Sequence, residues 1–241
     1  MQRILGSSTR VGFHLMRKLC KNLKSKHVFD NSTSFFESID ILGKKTTYIN
    51  AVFLKLFTNT YRYAEFSLVN EFYNIAKNQS IDFDEVVSLA KDNYPRLKNL
   101  PSKGFVAGPC LIKDTETFIK EYDEKNKLLN SIQDTNTRFF KNIFKECVET
   151  FENKTVIQLG LSFKPNSDDL RSSLSLEFYF YLLENGFTVY PVDKYIESND
   201  FKIYKFEDIK DLSNNTLIST YHDYFKSFDM SNKKVVVVGY K

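Results

Sequence analysis

Tryptophan is absent from this sequence, and its 241 residues include only three cysteines, three histidines, five prolines and eight glycines. Cysteines at positions 20, 110 and 147 are too few and too scattered for a disulfide framework. With histidines equally scattered they form no zinc-ligand spacing either, so a reducing compartment and no metal site are expected. No stretch approaches the ~18 uncharged apolar residues of a membrane span. The opening MQRILGSSTRVGFHLM also lacks the continuous apolar segment of a secretory signal, which points to a cytoplasmic protein without a membrane partner. Charge of one sign is missing too: 34 Lys and Arg stand against 30 Asp and Glu, a net +4 without a basic run. Such a balance gives no argument for nucleic acid as a partner.

Aromatic residues are abundant, with 23 Phe and 14 Tyr in a chain that is 42% apolar and 27% charged. These proportions are those of a globular protein, and the length suffices to bury a sizeable core. The first forty residues read as the tail of an α/β unit: a strand near Arg3–Leu5, a turn at Gly6-Ser7-Ser8, a helix over about Val11–Leu23 and an apolar piece at His27–Phe29. From Thr47 to about Asn78 an unbroken helical pattern without Gly or Pro carries apolar residues on more than one face. Asp82, followed by Glu85 three residues on, caps a further helix through Lys91. Pro95 and Pro101 bracket a loop, and helices are expected over about Thr115–Glu124 and Lys127–Phe151.

At Lys154 the period changes. KTVIQLGLSF and FTVYPVD read as strands on either side of a helix over Leu174–Asn185, with shorter strands at Lys202–Tyr204, Thr216–Ser219 and Lys234–Gly239. Strand, helix and strand at this spacing imply a parallel doubly wound sheet. The fold class is therefore α/β: an all-helical central domain followed by a Rossmann-like parallel-sheet C-terminal domain, with boundaries at 1–43, 44–151 and 152–241.

Three constellations could carry chemistry. Lys55 and Asn59 are four apart on one face of the long helix, with Arg62 a further turn along; taken alone they read first as ordinary solvated residues. GFVAGPCLIKDT, residues 104–115, sets Cys110 behind a glycine-proline bend with Asp114 four residues on. A helix beginning there would turn its free amides towards a thiolate or an oxyanion, whereas the competing reading is a plain packed thiol. Cys20 and Cys147, on the apolar sides of helices, read as packing residues. GLSFKPNSDDLRSS, residues 160–173, crowds Lys164, Asp168, Asp169 and Arg171 into a loop at the carboxyl end of a strand, where open α/β sheets bind ligands. A solvated turn is its alternative.

Taken in order, KLFTNTYR with NEF at 70–72, GPCLIKDT and LGLSFKPNSDDLRSS resemble the signatures of the UDP-glucose/GDP-mannose dehydrogenase family, over about residue 45 to the end. NTYR and GPCLIKDT are most similar to the branch acting on UDP-N-acetylhexosamines. The resemblance implies NAD-dependent, four-electron oxidation of a sugar C6 alcohol to a carboxylate, through a thiohemiacetal and a thioester on Cys110. By the same resemblance Lys55 and Asn59 steady the oxyanion and the reacting oxygens, and Asp114 orients water or relays a proton. Lys164, Gly104, Phe105 and Arg62 would contact the UDP-sugar, Arg171 would lie near the cofactor phosphates, and the helical domain would form a homodimer.

The family begins with a dinucleotide-binding domain marked by G-x-G-x-x-G, and this sequence has no such motif. Residues 1–43 resemble only the end of that domain, so NAD is expected to be bound mainly by a missing domain or a separate partner chain. Three readings stay open. They are a truncated or split dehydrogenase completed by another chain, a pseudoenzyme that binds UDP-sugar and dimerises without redox chemistry, and a structural helical module with an unrelated α/β tail.

Overall fold

A computed structural model describes residues 39–41, 44–46, 48–122, 125 and 127–239. The strand, helix and apolar piece expected within the first thirty residues, with Cys20, lie outside them. The chain divides into two compact units after Thr60. In the first, β1 (Ile39–Ile41) and β2 (Lys44–Thr46) pair antiparallel, and helix α1 (Tyr48–Asn78) begins. That short hairpin carries no turn signal that the sequence reading caught.

The second unit holds the rest of α1 and then α2 (Phe83–Asn93), α3 (Leu111–Tyr122), α4 (Lys127–Thr150), β3 (Thr155–Leu159), α5 (Leu174–Glu184), β4 (Thr188–Val192), the short α6 (Phe206–Ile209), β5 (Asn215–Ile218) and β6 (Lys234–Val237). As the sequence suggests, Asp82 caps α2, its Oδ1 accepting from the amides of Asp84 at 3.1 Å and Glu85 at 3.0 Å. Two expectations are corrected. The third helix starts at Leu111, not near Thr115, because Pro109 precedes the first turn and the Cys110 carbonyl already accepts the Asp114 amide at 2.9 Å. Lys202–Tyr204 is not a strand. Pro191 of the neighbouring edge strand β4 has no N–H to extend a ladder, and the Tyr204 amide makes a single bond to the Pro191 carbonyl at 2.9 Å.

The four strands are parallel in the order β4-β3-β5-β6, with Leu159 opposite both Val192 and Ile218, and Ile218 opposite Val237. From β3 the chain moves to β4 on one side and then crosses to β5 on the other. The order therefore reverses at the carboxyl ends of β3 and β5, where open sheets place their ligand crevice.

Alternation along the strands fills both faces. Val156, Leu217 and Val236 pack with Phe139, Ile143 and Cys147 of α4 and with Phe178 and Leu182 of α5. Ile157, Leu159, Val192 and Ile218 pack with Phe206, Ile209 and Phe225. Phe178 lies edge-on to Phe140 at 4.9 Å between ring centroids, inside a run of aromatic contacts that joins the helices to the sheet. The helical region followed by a parallel sheet is the α/β architecture that the sequence implies.

Candidate functional site

Cys110 stands at the N-terminal end of α3 with its side chain exposed. The first amides of that helix lack helical acceptors, and the positive end of its dipole favours negative charge on the sulfur or on an oxygen attached beside it. Asp114, one turn into the helix, is buried. The loop leading to Cys110 is tied down on three sides. Asn70 of α1 grips Gly104 twice, accepting from its amide and donating to its carbonyl, each at 2.9 Å. The buried Lys103 donates to the Val237 carbonyl of β6 at 2.9 Å and lies 4.0 Å from the centroid of the Tyr73 ring. Gly108 donates to the Ser172 carbonyl at 3.0 Å. Its φ of +104° is open to glycine, and a Cβ there would come within 2.8 Å of the Phe163 ring.

These last contacts join the Cys110 loop to the loop 160–173 at the carboxyl end of β3. Lys164 is exposed, its Nζ 5.3 Å from the Phe163 ring centroid. Arg171 forks onto Asp169, with Nε to Oδ1 at 2.9 Å and Nη2 to Oδ2 at 2.6 Å. The pairing pulls the Asp169 pKa down to about 2, first through the guanidinium hydrogen bonds. It also raises that of Arg171, through the same hydrogen bonds to Asp169.

Of the candidate residues, the second unit brings together Cys110, Asp114, Gly104, Lys164 and Arg171 through these two docked loops. Phe105 adjoins them, with its ring packed against Phe139, Phe140 and Phe178 at 5.2–6.2 Å. Arg62 is exposed on α1. Lys55 and Asn59 stand one turn apart on α1 in the first unit, where the Lys55 carbonyl accepts from the Thr58 hydroxyl at 3.0 Å. Sequence reasoning noted Asn70 only as part of the NEF motif and gave it no role, although an amide in the middle of an apolar helical run, here fully buried, is itself a signal. It also passed over His222 and Asp193, for which a lone histidine and an aspartate at a strand end give no local pattern.

Two family models match the chain: the central domain of the UDP-glucose/GDP-mannose dehydrogenase family over residues 50–138, and its UDP binding domain over residues 157–240. The chain belongs to the UDP-glucose/GDP-mannose dehydrogenase family. The UDP binding model spans the sheet and the loop 160–173, and the central model ends within α4. Among members of this family, UDP-N-acetyl-D-mannosamine dehydrogenase of Methanocaldococcus jannaschii is 29% identical over 187 residues, 76% of this chain and 43% of that protein. GDP-mannose 6-dehydrogenase of Pseudomonas savastanoi pv. phaseolicola is 31% identical over 170 residues, 68% of this chain and 39% of that one. The solved UDP-N-acetyl-mannosamine dehydrogenase of Staphylococcus aureus superposes with a TM-score of 0.64 at 27% identity, covering 79% of this chain and 46% of its own. The chain thus spans less than half the length of each of these dehydrogenases. Among the described residues no helix is long and apolar enough to cross a membrane.

Proposed function

We propose that this chain is the substrate half of a nucleotide-sugar 6-dehydrogenase, binding a UDP-sugar at the carboxyl end of the sheet and presenting Cys110 to its C6 carbon. The observation that carries this reading is the docking of the Cys110 loop onto the loop after β3 through Gly108 and Ser172. It puts an exposed sulfur at a helix N-terminus beside the ligand-binding edge of a parallel sheet. Addition of the thiolate to a C6 aldehyde forms the carbon–sulfur bond and leaves an oxyanion. The α3 amides would stabilise that oxyanion, and Asp114 would orient water or pass the proton. Lys164, Arg62 and the Gly104 backbone would hold the nucleotide-sugar. Similarity to the two UDP-N-acetyl-mannosamine dehydrogenases supports a UDP-N-acetylhexosamine as substrate.

NAD is the hydride acceptor such chemistry implies, and the end of β3 does not fit it. Gly160, the one glycine at the end of β3, serves the protein interior: a Cβ there would lie 2.1 Å from the Thr220 carbonyl oxygen. The neighbouring Leu161 amide is already taken by Asp193 at 2.9 Å. No cradle of open amides for a pyrophosphate is left at that strand end. The reading therefore assigns the hydride steps to no residue described here and the NAD site to another domain or chain. A nucleotide-sugar-binding, dimerising module without redox activity is the second reading, and the same lack of a cradle favours it.

Titration calorimetry with UDP and with NAD, together with an NADH assay on UDP-sugars, tests both. Heat with UDP, none with NAD and no NADH from the chain alone are expected. Absence of UDP binding would sink the substrate-half reading, and turnover by the purified chain would sink the assignment of NAD elsewhere. Adding a family NAD-binding domain in trans separates the two readings: restored turnover that Cys110→Ala abolishes supports the split enzyme, and none supports the module.

A further inference from the structure

At the reversal point of the sheet lies a fully buried His–Asp pair that the mechanism above does not use. His222, just beyond β5, and Asp193, just beyond β4, are both 0% exposed, and His222 Nε2 lies 3.0 Å from Asp193 Oδ2. The other ring nitrogen, Nδ1, is 2.8 Å from the backbone amide of Asn166. An amide can only donate, so Nδ1 is a lone-pair acceptor and the ring proton sits on Nε2, given to Asp193. Asp193 also accepts from the Leu161 amide at 2.9 Å through Oδ2 and from the Tyr195 amide at 3.0 Å through Oδ1. Rings of Tyr195, Tyr224 and Phe225 enclose the imidazole.

The pair thus serves two amides of the loop that carries Lys164, one at its start and one in its middle. That loop has a shape its residues do not prefer. Asn166 and Ser172 both hold left-handed φ angles, 53° and 50°, without being glycine. Asp223, next to His222, completes the grip by accepting from Asn166 Nδ2 at 2.6 Å and donating its own amide to Asn166 Oδ1 at 3.0 Å. A buried polar pair brings little net stability against an apolar replacement of the same shape, so its presence here calls for another reason, and the loop amides supply one.

We propose that His222 is a positioning residue: its Nδ1 lone pair holds Asn166 in the left-handed conformation and thereby fixes the backbone from which Lys164 meets the nucleotide-sugar. The binding half of this inference rests on the proposed function. The test compares His222→Asn, whose carbonyl oxygen falls near the Nδ1 position, with His222→Gln, whose amide nitrogen reaches the Nε2 position. Amide exchange of the segment 161–171 should accelerate about tenfold in His222→Gln and stay near wild type in His222→Asn, while exchange of β3 changes in neither. UDP affinity should follow the same order, with about a tenfold loss in His222→Gln.

Equal loop exchange in the two variants, or a parallel rise in β3, would reduce the histidine to a packing role and overturn the proposal. Should His222→Gln fail to fold, the imidazole 15N spectrum of the wild type decides, since a proton on Nδ1 is incompatible with the clamp. A wild type that gives no heat with UDP removes the binding half together with the function reading, and the exchange result still decides the clamp.

Discussion

Lys103 is an uncommon residue to bury, 6% exposed between an aromatic ring and a strand carbonyl. Burial lowers its pKa from the ordinary 10.5, and the charges of Asp84 and Glu146 offset that only in part. A lowered folded pKa means that the unfolded chain binds more protons in the interval just below 10.5, so stability rises with pH there. Lys103→Met has no such group. The stability of the wild type relative to Lys103→Met, from urea unfolding at a series of pH values, should therefore climb as the pH approaches 10.5 from below. A flat difference would show that the ammonium bears no burial penalty. The amine persists at this cost because it ties the loop before Cys110 to the last strand. Cys147 illustrates the opposite fate of an ionisable side chain: fully buried in the core, its thiol is pushed far up by desolvation and stays protonated.

Among the elements, those that follow from period and punctuation were legible in the sequence. Helix α1, the Asp82 cap of α2, α4 and the strands β3, β4, β5 and β6 lie where the pattern of apolar residues puts them, to within a few residues. What the pattern could not supply was decided by contacts distant in sequence. The start of α3 was misjudged by four residues because Gly108 and Pro109 look like a loop, whereas the loop ends as soon as Ser172, Phe163 and Asn70 have fixed it. Membership of the Cys110 loop and the loop after β3 in one site was suggested by a family resemblance, not by spacing, and His222 was invisible because its partners come from three different segments.

Gly160 shows how such distant contacts set energies. It and Gly186 share nearly the same left-handed φ, +82° and +81°. A Cβ at Gly186 meets nothing closer than the flexible Lys154 Nζ at 3.4 Å, whereas at Gly160 it would strike the Thr220 carbonyl. Gly186→Ala should thus cost about 1–2 kcal/mol for conformation alone. Gly160→Ala should cost clearly more, because the ends of β3 and β5 must also move apart. Urea unfolding of the two variants gives the comparison, and equal losses would mean that the β5 loop yields freely.

At the scale of the whole molecule, the second unit leaves one face of α1 uncovered. Leu68, Phe72 and Ile75, spaced to lie on a single side, are each more than half exposed, while Tyr63, Ser67 and Asn70 on the opposite side are buried. Val86 on α2 is a further large apolar group with much of its surface exposed, at 48%. Contiguous apolar surface of this kind is a recurrent mark of an interface, and a two-fold pairing of like helices is the commonest way to cover it. The family resemblance of the helical domain implies the occupant, a second copy of the same chain. Light scattering at micromolar concentration should accordingly give twice the 28.2 kDa chain mass. Phe72→Glu, which places a carboxylate in the middle of the stripe, should shift the population towards monomer without moving the aromatic core around Phe178. A monomeric wild type, or a Phe72→Glu chain that stays fully dimeric, would exclude this face as the contact between copies.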